Sequence, residues 1–510
     1  MPKKDLLSYI REGRTMTHSE QLWLIVELSV PSILAQLSAT VMFFIDASMV
    51  GHLGEKATAA IGLVETTTWL LGGLGSAANM GFSVQVAHFI GANDFEAARR
   101  VLRQSLVCSL LWSLLLSMAC VAVHGALPFW LGGTDDIAPD ASAYFLIIGL
   151  AGICFQMAGL AGSMLKCSGN MKIPSALNIL MCCLDILFNY IFIYIADMGV
   201  RGAALGTAVA ELVTALLMLY FLLWRSDMLG LVEGGGRKVE GGGWKVEGGG
   251  WKVEGGGRMV EGGGRMVEGG GWKVECGGRK VEGGGRRSFR PTADIVSTAF
   301  RIGAPMGLQH LLMGSAQIVS TIIVAPLGTV AIAANSLAIT VESLCYMPGY
   351  GIAEAATTLV GQGIGAGQRL LTRSFAYMSV GLGIAVMTLM GVLMFVFAPE
   401  LMSLMSPVER IVSEGASALR IEAFAEPMFA AAIVCNGVFI GAGDTMRPAV
   451  MSLTSMWGVR LTLAWWLSQS HGLRGVWTAM AVELSFRGVI FLIRLWKGNW
   501  NKKLVQQTTK

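Results

Sequence analysis

The sequence predicts an all-α polytopic membrane protein, with twelve transmembrane helices in two pseudo-symmetric six-helix bundles. Three observations point there. Only 14% of the 510 residues are charged and 54% are hydrophobic, whereas an ordinary soluble domain carries roughly a quarter charged residues. Apolar runs of about 20 residues, long enough to cross a bilayer, recur along the whole chain. The second half of the chain also repeats the first in a constant register.

Twelve runs are read, near 22–46, 58–90, 102–128, 140–164, 173–195, 203–224, 296–323, 330–362, 375–398, 415–440, 447–468 and 475–495. The first follows a polar N-terminus and continues into Asp46 and Gly51 with no small-residue cleavage site, so no removable signal peptide is expected. Lys and Arg crowd alternate connections: Lys3, Lys4, Arg11 and Arg14; Arg99, Arg100 and Arg103; Lys166 and Lys172; Arg369 and Arg373; Arg447; and Arg494, Lys497, Lys502 and Lys503. The remaining connections are sparse or acidic, as at Asp135 and Asp136. The positive-inside rule places the first set and both termini in the cytoplasm, which suits a multi-pass protein of the cell (inner) membrane.

Pro31 pairs with Pro305, Gly54 with Gly328, Gly91 with Gly365, Gly169 with Gly443 and Pro174 with Pro448. The members of each pair lie 274 positions apart (305 minus 31, for example). An even number of spans per half gives both halves the same orientation, related by an axis along the membrane normal with the substrate path between them. The division expected is residues 1–225, a linker over 226–288, and 289–510. The linker repeats units such as "VEGGGRK", with valine every seven residues from Val232 to Val281. Three glycines per unit oppose a helix at about 1 kcal/mol each, so a flexible, solvated cytoplasmic segment is expected.

Other classes find little support. The net charge of +4 comes with no basic stripe of the kind nucleic-acid binders carry. Most of the nine cysteines sit inside apolar runs, where Cys behaves as a small hydrophobe. The six histidines are scattered, no metal-ligand spacing appears, and no nucleophile constellation suggests an enzyme. No metal, cofactor or nucleic-acid partner is expected.

Five phrases stand out: "VPSILAQLSATVMFFIDASMVGHLG" at 30–54, "FIGANDFEAAR" at 89–99, "LKCSGNMKIPSALNIL" at 165–180, "MGVRGAALGTAVAE" at 198–211 and "YMPGYGIAEAATTLVGQGIGAG" at 346–367. In this order they resemble the multidrug and toxic compound extrusion (MATE) family, over about 20–225 and 290–495. The resemblance implies two six-helix bundles forming a V. It also implies cation-coupled antiport, driven by protons or sodium, that exports bulky amphipathic compounds, often organic cations, across the bilayer.

Such a carrier needs a membrane-embedded carboxylate that binds and releases an ion. Intramembrane acids are costly, so each is a functional candidate. Asp46 sits in the apolar "MFFIDASMV", and its repeat position (46 plus 274) holds Ser320, so the acid is no requirement of the repeat. Asp185 and Asn189 lie four residues apart and share a helix face, with Asn178 two turns earlier. The resemblance implies an Asn-then-Asp order at this spacing, and here the order is inverted. Thr207 matches the family's sixth-span hydroxyl, and Glu211 follows one turn later. The second half contributes a secondary group, Glu342, Glu354, Glu422 and Glu426, with Arg460 as a possible ion-pair partner. Phe43, Phe44, Trp69 and Tyr346, with Met42, Phe155, Met157 and Met347, are expected along an apolar, aromatic substrate path. The alternative is a lipid-linked oligosaccharide flippase of the same superfamily. The absence of Lys or Arg deep in the first-half spans speaks against it.

Overall fold

The computed structural model describes residues 6–231, 272–276, 279–283, 289–498 and 500. Its helices are α1 (Leu6–Glu12), α2 (His18–Gly51), α3 (Glu55–Gly91), α4 (Phe95–Val123), α5 (Leu127–Trp130), α6 (Ala138–Cys167), α7 (Lys172–Tyr190) and α8 (Gly199–Tyr220) in the first half. The second half has α9 (Ala293–Val324), α10 (Thr329–Gly365), α11 (Arg369–Val396), α12 (Ala398–Met405), α13 (Glu409–Glu422), α14 (Glu426–Gly441), α15 (Met446–Thr454) and α16 (Leu461–Lys497).

Local sequence sets the ends of these rods. α2 opens with a capping box, in which Glu20 N donates to Thr17 Oγ1 at 3.3 Å and Thr17 N donates to Glu20 Oε2 at 3.0 Å. The α2–α3 and α9–α10 turns use Gly54 (φ 104°) and Gly328 (φ 98°), a left-handed conformation that only glycine adopts without strain. These two glycines are repeat partners. Two further positive-φ glycines, Gly199 (φ 55°) and Gly472 (φ 57°), one position off the repeat register (472 minus 199 is 273), reverse the chain between the last two rods of each half. A Cβ added at Gly475 would collide with the Leu467 carbonyl oxygen. A continuous helix would hold residues eight apart about 12 Å from each other along its axis, so the chain folds back here.

Among the described residues, nine helices are long and apolar enough to cross a membrane, or ten when α13 and α14, bent by 60°, form one span. The expected twelve would add α3 and would count the 52-residue stretch Met446–Lys497 as two arms meeting at Gly472. α3 is 37 residues long, but its run of Gly, Thr and Ser lowers its hydropathy below a lipid-facing span. It is the helix that gives most of one face to a cavity.

The halves meet along α2–α10 and α3–α9, with α3 crossing α10 near one end. A Cβ at Gly91 would collide with the Gln362 carbonyl, and one at its repeat partner Gly365 would collide with that of His88. Side chains stitch the same end: Gln362 Nε2 donates to the Cys167 carbonyl at 2.8 Å, and His88 Nε2 lies 2.8 Å from the Gly441 carbonyl oxygen. Lys166 Nζ of α6 binds both carboxylate oxygens of Glu354 in α10 at 2.8 Å. This sealed end is the one flanked by Arg99, Lys172, Arg369 and Arg447.

Of the linker, Trp272–Cys276 and Arg279–Gly283 form an antiparallel strand pair, with Val274 opposite Val281. This departs from the expected unstructured segment. Two copies of Lys-Val-Glu face one another across the pair, Lys273 opposite Glu282 and Glu275 opposite Lys280, and alternating short units can pair as strands where glycine forbids a helix. The rest of the array, Val232 to Val267, lies outside the described residues.

Candidate functional site

Asp46 stands on α2, five residues before its end at Gly51 (51 minus 46). Asp185 and Asn189 project from one face of α7 and are 0% and 2% exposed. Asn189 Nδ2 donates to Asp185 Oδ2 at 3.0 Å and to Asp46 Oδ1 at 3.0 Å. One amide therefore spends both of its N–H donors on two carboxylates from different helices. Asp185 Oδ1 and Asn189 Oδ1 are buried without a hydrogen-bond partner among the described residues, a costly condition for polar oxygens.

The neighbouring backbone makes room for this. Gly206 on α8 lets α7 approach, since a Cβ there would collide with Asn189 Oδ1 and stand 2.8 Å from the Asn189 nitrogen. Thr207, next in the chain, lies against Asp185. Two residues beyond Asn189 the helix widens into a π-helical segment, Ile191–Ile195, a local geometry frequent at functional sites. Glu211 is buried one turn beyond Thr207. Asn178 does not join the group. It is half-buried, seven residues before Asp185 (185 minus 178), about 10 Å away along the axis.

Asp46, Asn189 and Thr207 form part of the wall of a cavity of about 930 Å³ within the first half, closed on one side by α10. Phe43, Phe44, Trp69 and Tyr346 line it, as do Met42, Phe155 and Met347, while Met157 does not. The Phe43 and Trp69 rings lie 5.2 Å apart, centroid to centroid. One wall is polar: Gln156 Nε2 donates to Asn79 Oδ1 at 2.7 Å, and Ser109 Oγ donates to the same oxygen at 3.3 Å. The cavity reaches Val50, Thr58 and Ile61 near the α2–α3 turn, away from the sealed end.

The secondary acids divide. Glu342 (α10), Glu422 (end of α13) and Glu426 (start of α14) gather in the second half, with Arg460 close enough to act on Glu342 and Glu422. Pro427 just inside α14 forces the α13–α14 bend that turns them inward. Glu422 and Glu426 are 0% exposed, and their oxygens have no hydrogen-bond partner among the described residues. Glu354 is not part of this group, which corrects the expected cluster. It lies twelve residues along α10 from Glu342 (354 minus 342), about 18 Å away, and is held by Lys166 and by Gln36 Nε2 at 3.4 Å.

Sequence reasoning missed three acidic or basic residues here. Glu483 is 0% exposed and accepts from Arg487 Nε at 2.7 Å and from Ser455 Oγ at 2.6 Å. The four-residue spacing of Glu483 and Arg487 in an apolar run was the available signal. Glu65, in the wall of the first-half cavity, was equally visible as an acid inside the second run.

Helices that seal at one end around a blind, aromatic-lined cavity, with a carboxylate pair embedded beside it, define a multi-pass membrane transporter of small molecules. The MatE family model matches residues 31–191 and again residues 305–466, and the chain belongs to this family. The two matches begin 274 positions apart (305 minus 31), the register read from the repeated prolines and glycines. The chain is 22% identical over 490 residues to the "Probable multidrug resistance protein NorM" of Thermotoga maritima, covering 94% of this chain and 93% of that protein. It is 25% identical over 476 residues to the "Multidrug resistance protein NorM" of Burkholderia vietnamiensis, covering 92% of each. Among solved structures, it matches one described as an outward-facing conformation of a multidrug resistance MATE family transporter of the MOP superfamily, with TM-score 0.81 and 20% identity. That match covers 99% of this chain and 100% of the other. A crystal structure of MATE in complex with MaL6 matches with TM-score 0.82 and 20% identity over 98% of this chain and all of that one. The protein is a transporter and not an enzyme.

Proposed function

We propose that the protein exports bulky amphipathic compounds, organic cations among them, by alternating access, and that a proton or sodium ion entering at Asp46, Asp185, Asn189 and Thr207 drives each cycle. The observation that carries this reading is the Asn189 amide shared by two carboxylates at the cavity wall. Two membrane-embedded acids in this position, with unpartnered oxygens beside them, form a site that one small cation would complete. Thr207 would supply a further neutral oxygen. The names of the full-length relatives support the substrate class. Combined with the positive-inside rule, the seal at the Lys- and Arg-rich end makes this an outward-open arrangement with both termini in the cytoplasm.

The flippase alternative would need basic side chains for a pyrophosphate-linked substrate. The described cavity wall holds no lysine, arginine or histidine, which favours the exporter. The test is efflux from proteoliposomes under imposed sodium or proton gradients. Export driven by one of those gradients in the wild type, and lost in Asp46→Asn with substrate binding retained, is the expected result. Asp46→Asn exporting at the wild-type rate would remove the first-half acids as the coupling site.

A further inference from the structure

Glu65 stands apart from the acids assigned to coupling. On α3 it follows Ile61 and precedes Trp69 at four-residue steps, so all three share one face, and that face lines the cavity. Among the described residues, its carboxylate Oε1 accepts only from a neutral donor, the Trp69 indole Nε1, at 3.4 Å. The Phe43 ring packs against Trp69 from α2 at 5.2 Å, tilted by 45°. Among the described residues, the cavity wall thus presents two carboxylates, Asp46 and Glu65, and no basic side chain. The two are not equivalent: Asp46 is engaged by Asn189, whereas Glu65 is backed by aromatic rings.

We infer that Glu65, Trp69 and Phe43 form a charge-selecting subsite that holds the cationic end of a substrate, distinct from the Asp46–Asp185–Asn189 site. A carboxylate at the N–H edge of an exposed indole favours a poorly hydrated organic cation, because a cation against the ring face is then drawn by the ring quadrupole and by the nearby charge together. The aromatic surface would take the apolar body of the same molecule. Tyr144 lies within electrostatic reach of Glu65, Asp46 and Asp185 together, so the two acid groups share one neighbourhood. A cation resting on Glu65 would cancel part of the negative field at Asp46 and Asp185 and weaken their hold on a coupling ion. Substrate and ion would then exclude one another without sharing a ligand, as exchange requires.

The inference rests on the export reading, and equilibrium binding separates the two. Tetraphenylphosphonium and the neutral, similarly shaped triphenylphosphine oxide would be titrated onto purified protein at fixed pH and sodium. Glu65→Gln is expected to weaken tetraphenylphosphonium about tenfold, equivalent to about 1.4 kcal/mol, and to leave triphenylphosphine oxide within about twofold. Retained binding of the neutral probe also reports that the cavity is folded. Glu65→Asp, which keeps the charge, should recover most of the cation affinity even if the glutamine variant is unstable. Unchanged tetraphenylphosphonium affinity in Glu65→Gln, or equal losses for both probes, would overturn the subsite. Gradient-independent flux in a wild type that shows the cation preference would instead overturn the export reading and leave the subsite standing.

Discussion

The two halves of the molecule follow one plan and use it differently. In the first half, an unbroken α6 offers Ile148 and Gly152 to the cavity wall. The matching positions in the second half (148 and 152 plus 274) are Glu422 and Glu426, fully buried on either side of the break between α13 and α14. The first half places its carboxylates beside an amide and a hydroxyl at the edge of a large space. The second half sets a single Arg460 within electrostatic reach of Glu342 and Glu422, and it locks Glu483 to Arg487. An acid beside an open cavity can exchange an ion, whereas an acid beside a fixed guanidinium already has its counter-charge. The comparison teaches that the repeat sets where helices cross, and that a few side chains decide which half keeps its acids away from a basic counter-charge.

The largest expected effect tests whether the second-half charges are structural. Glu483→Leu leaves Arg487, 9% exposed, without its carboxylate. Breaking one side of a buried ion pair costs about 3–5 kcal/mol, so the detergent-solubilised variant should melt well below wild type. Glu483→Leu with Arg487→Leu should recover most of that loss, and the folded fraction of each variant should still export. A double variant that folds normally but no longer exports would give the second half a coupling role and erase the contrast.

Next in size is coupling in the first half. One charge moving through 100 mV is worth about 2.3 kcal/mol, an accumulation of about fiftyfold. Asp46→Asn should remove that accumulation while drug binding stays near wild type, because the amide resembles a permanently protonated acid. Asp185→Asn should impair it, and Asn189→Asp should be milder. Drug-stimulated cation flux in proteoliposomes measures all three.

Much of this was legible in the sequence, for identifiable reasons. Glycines at 54 and 328 mark turns because only glycine takes their φ without strain, and their constant offset exposes the repeat. Asp46, Asp185 and Asn189 were legible because acids and amides are rare in apolar runs and a four-residue spacing fixes a common helix face. That Asn189 bridges two helices was not legible, since it depends on Gly206 allowing α8 to approach. Glu354 was grouped with the wrong acids although its twelve-residue separation from Glu342 within one run already implies about 18 Å; what the sequence did not carry was its partner Lys166, on another helix in the other half. The strand pair in the linker depends on register between copies, which a period alone does not determine.

A smaller effect is expected at the seal. Lys166–Glu354 joins the halves at the closed end, with side chains 18% and 29% exposed. A charge-assisted contact of this kind contributes about 1–2 kcal/mol. Glu354→Gln should therefore shift the population away from the arrangement sealed at this end by about tenfold. Distances between spin labels across the sealed end and across the cavity mouth would show it as a second population. No change in either distance would mean that the glycine-mediated contacts of α3 with α10 hold the seal alone.

The smallest effect is expected from the linker, and it tests whether the halves differ by their side chains or by what joins them. α8 continues through a π-helical segment to Arg225, and α9 begins at Ala293, so a connection need only span the ends of two helices at the sealed face. The halves already contact one another through α2–α10 and α3–α9. The entropy of closing a loop grows slowly with its length, by about 0.6 kcal/mol per doubling, so cutting the array to a few units should change folding stability little. Export by a shortened protein should match wild type, and Asp46→Asn in that background should lose coupling to the same extent as in the full chain. Loss of export in a shortened, correctly inserted protein would assign the repeat array an active part in the cycle. The asymmetry between the halves would then have to be sought in the connection as well as in the Asp46 and Glu422 clusters.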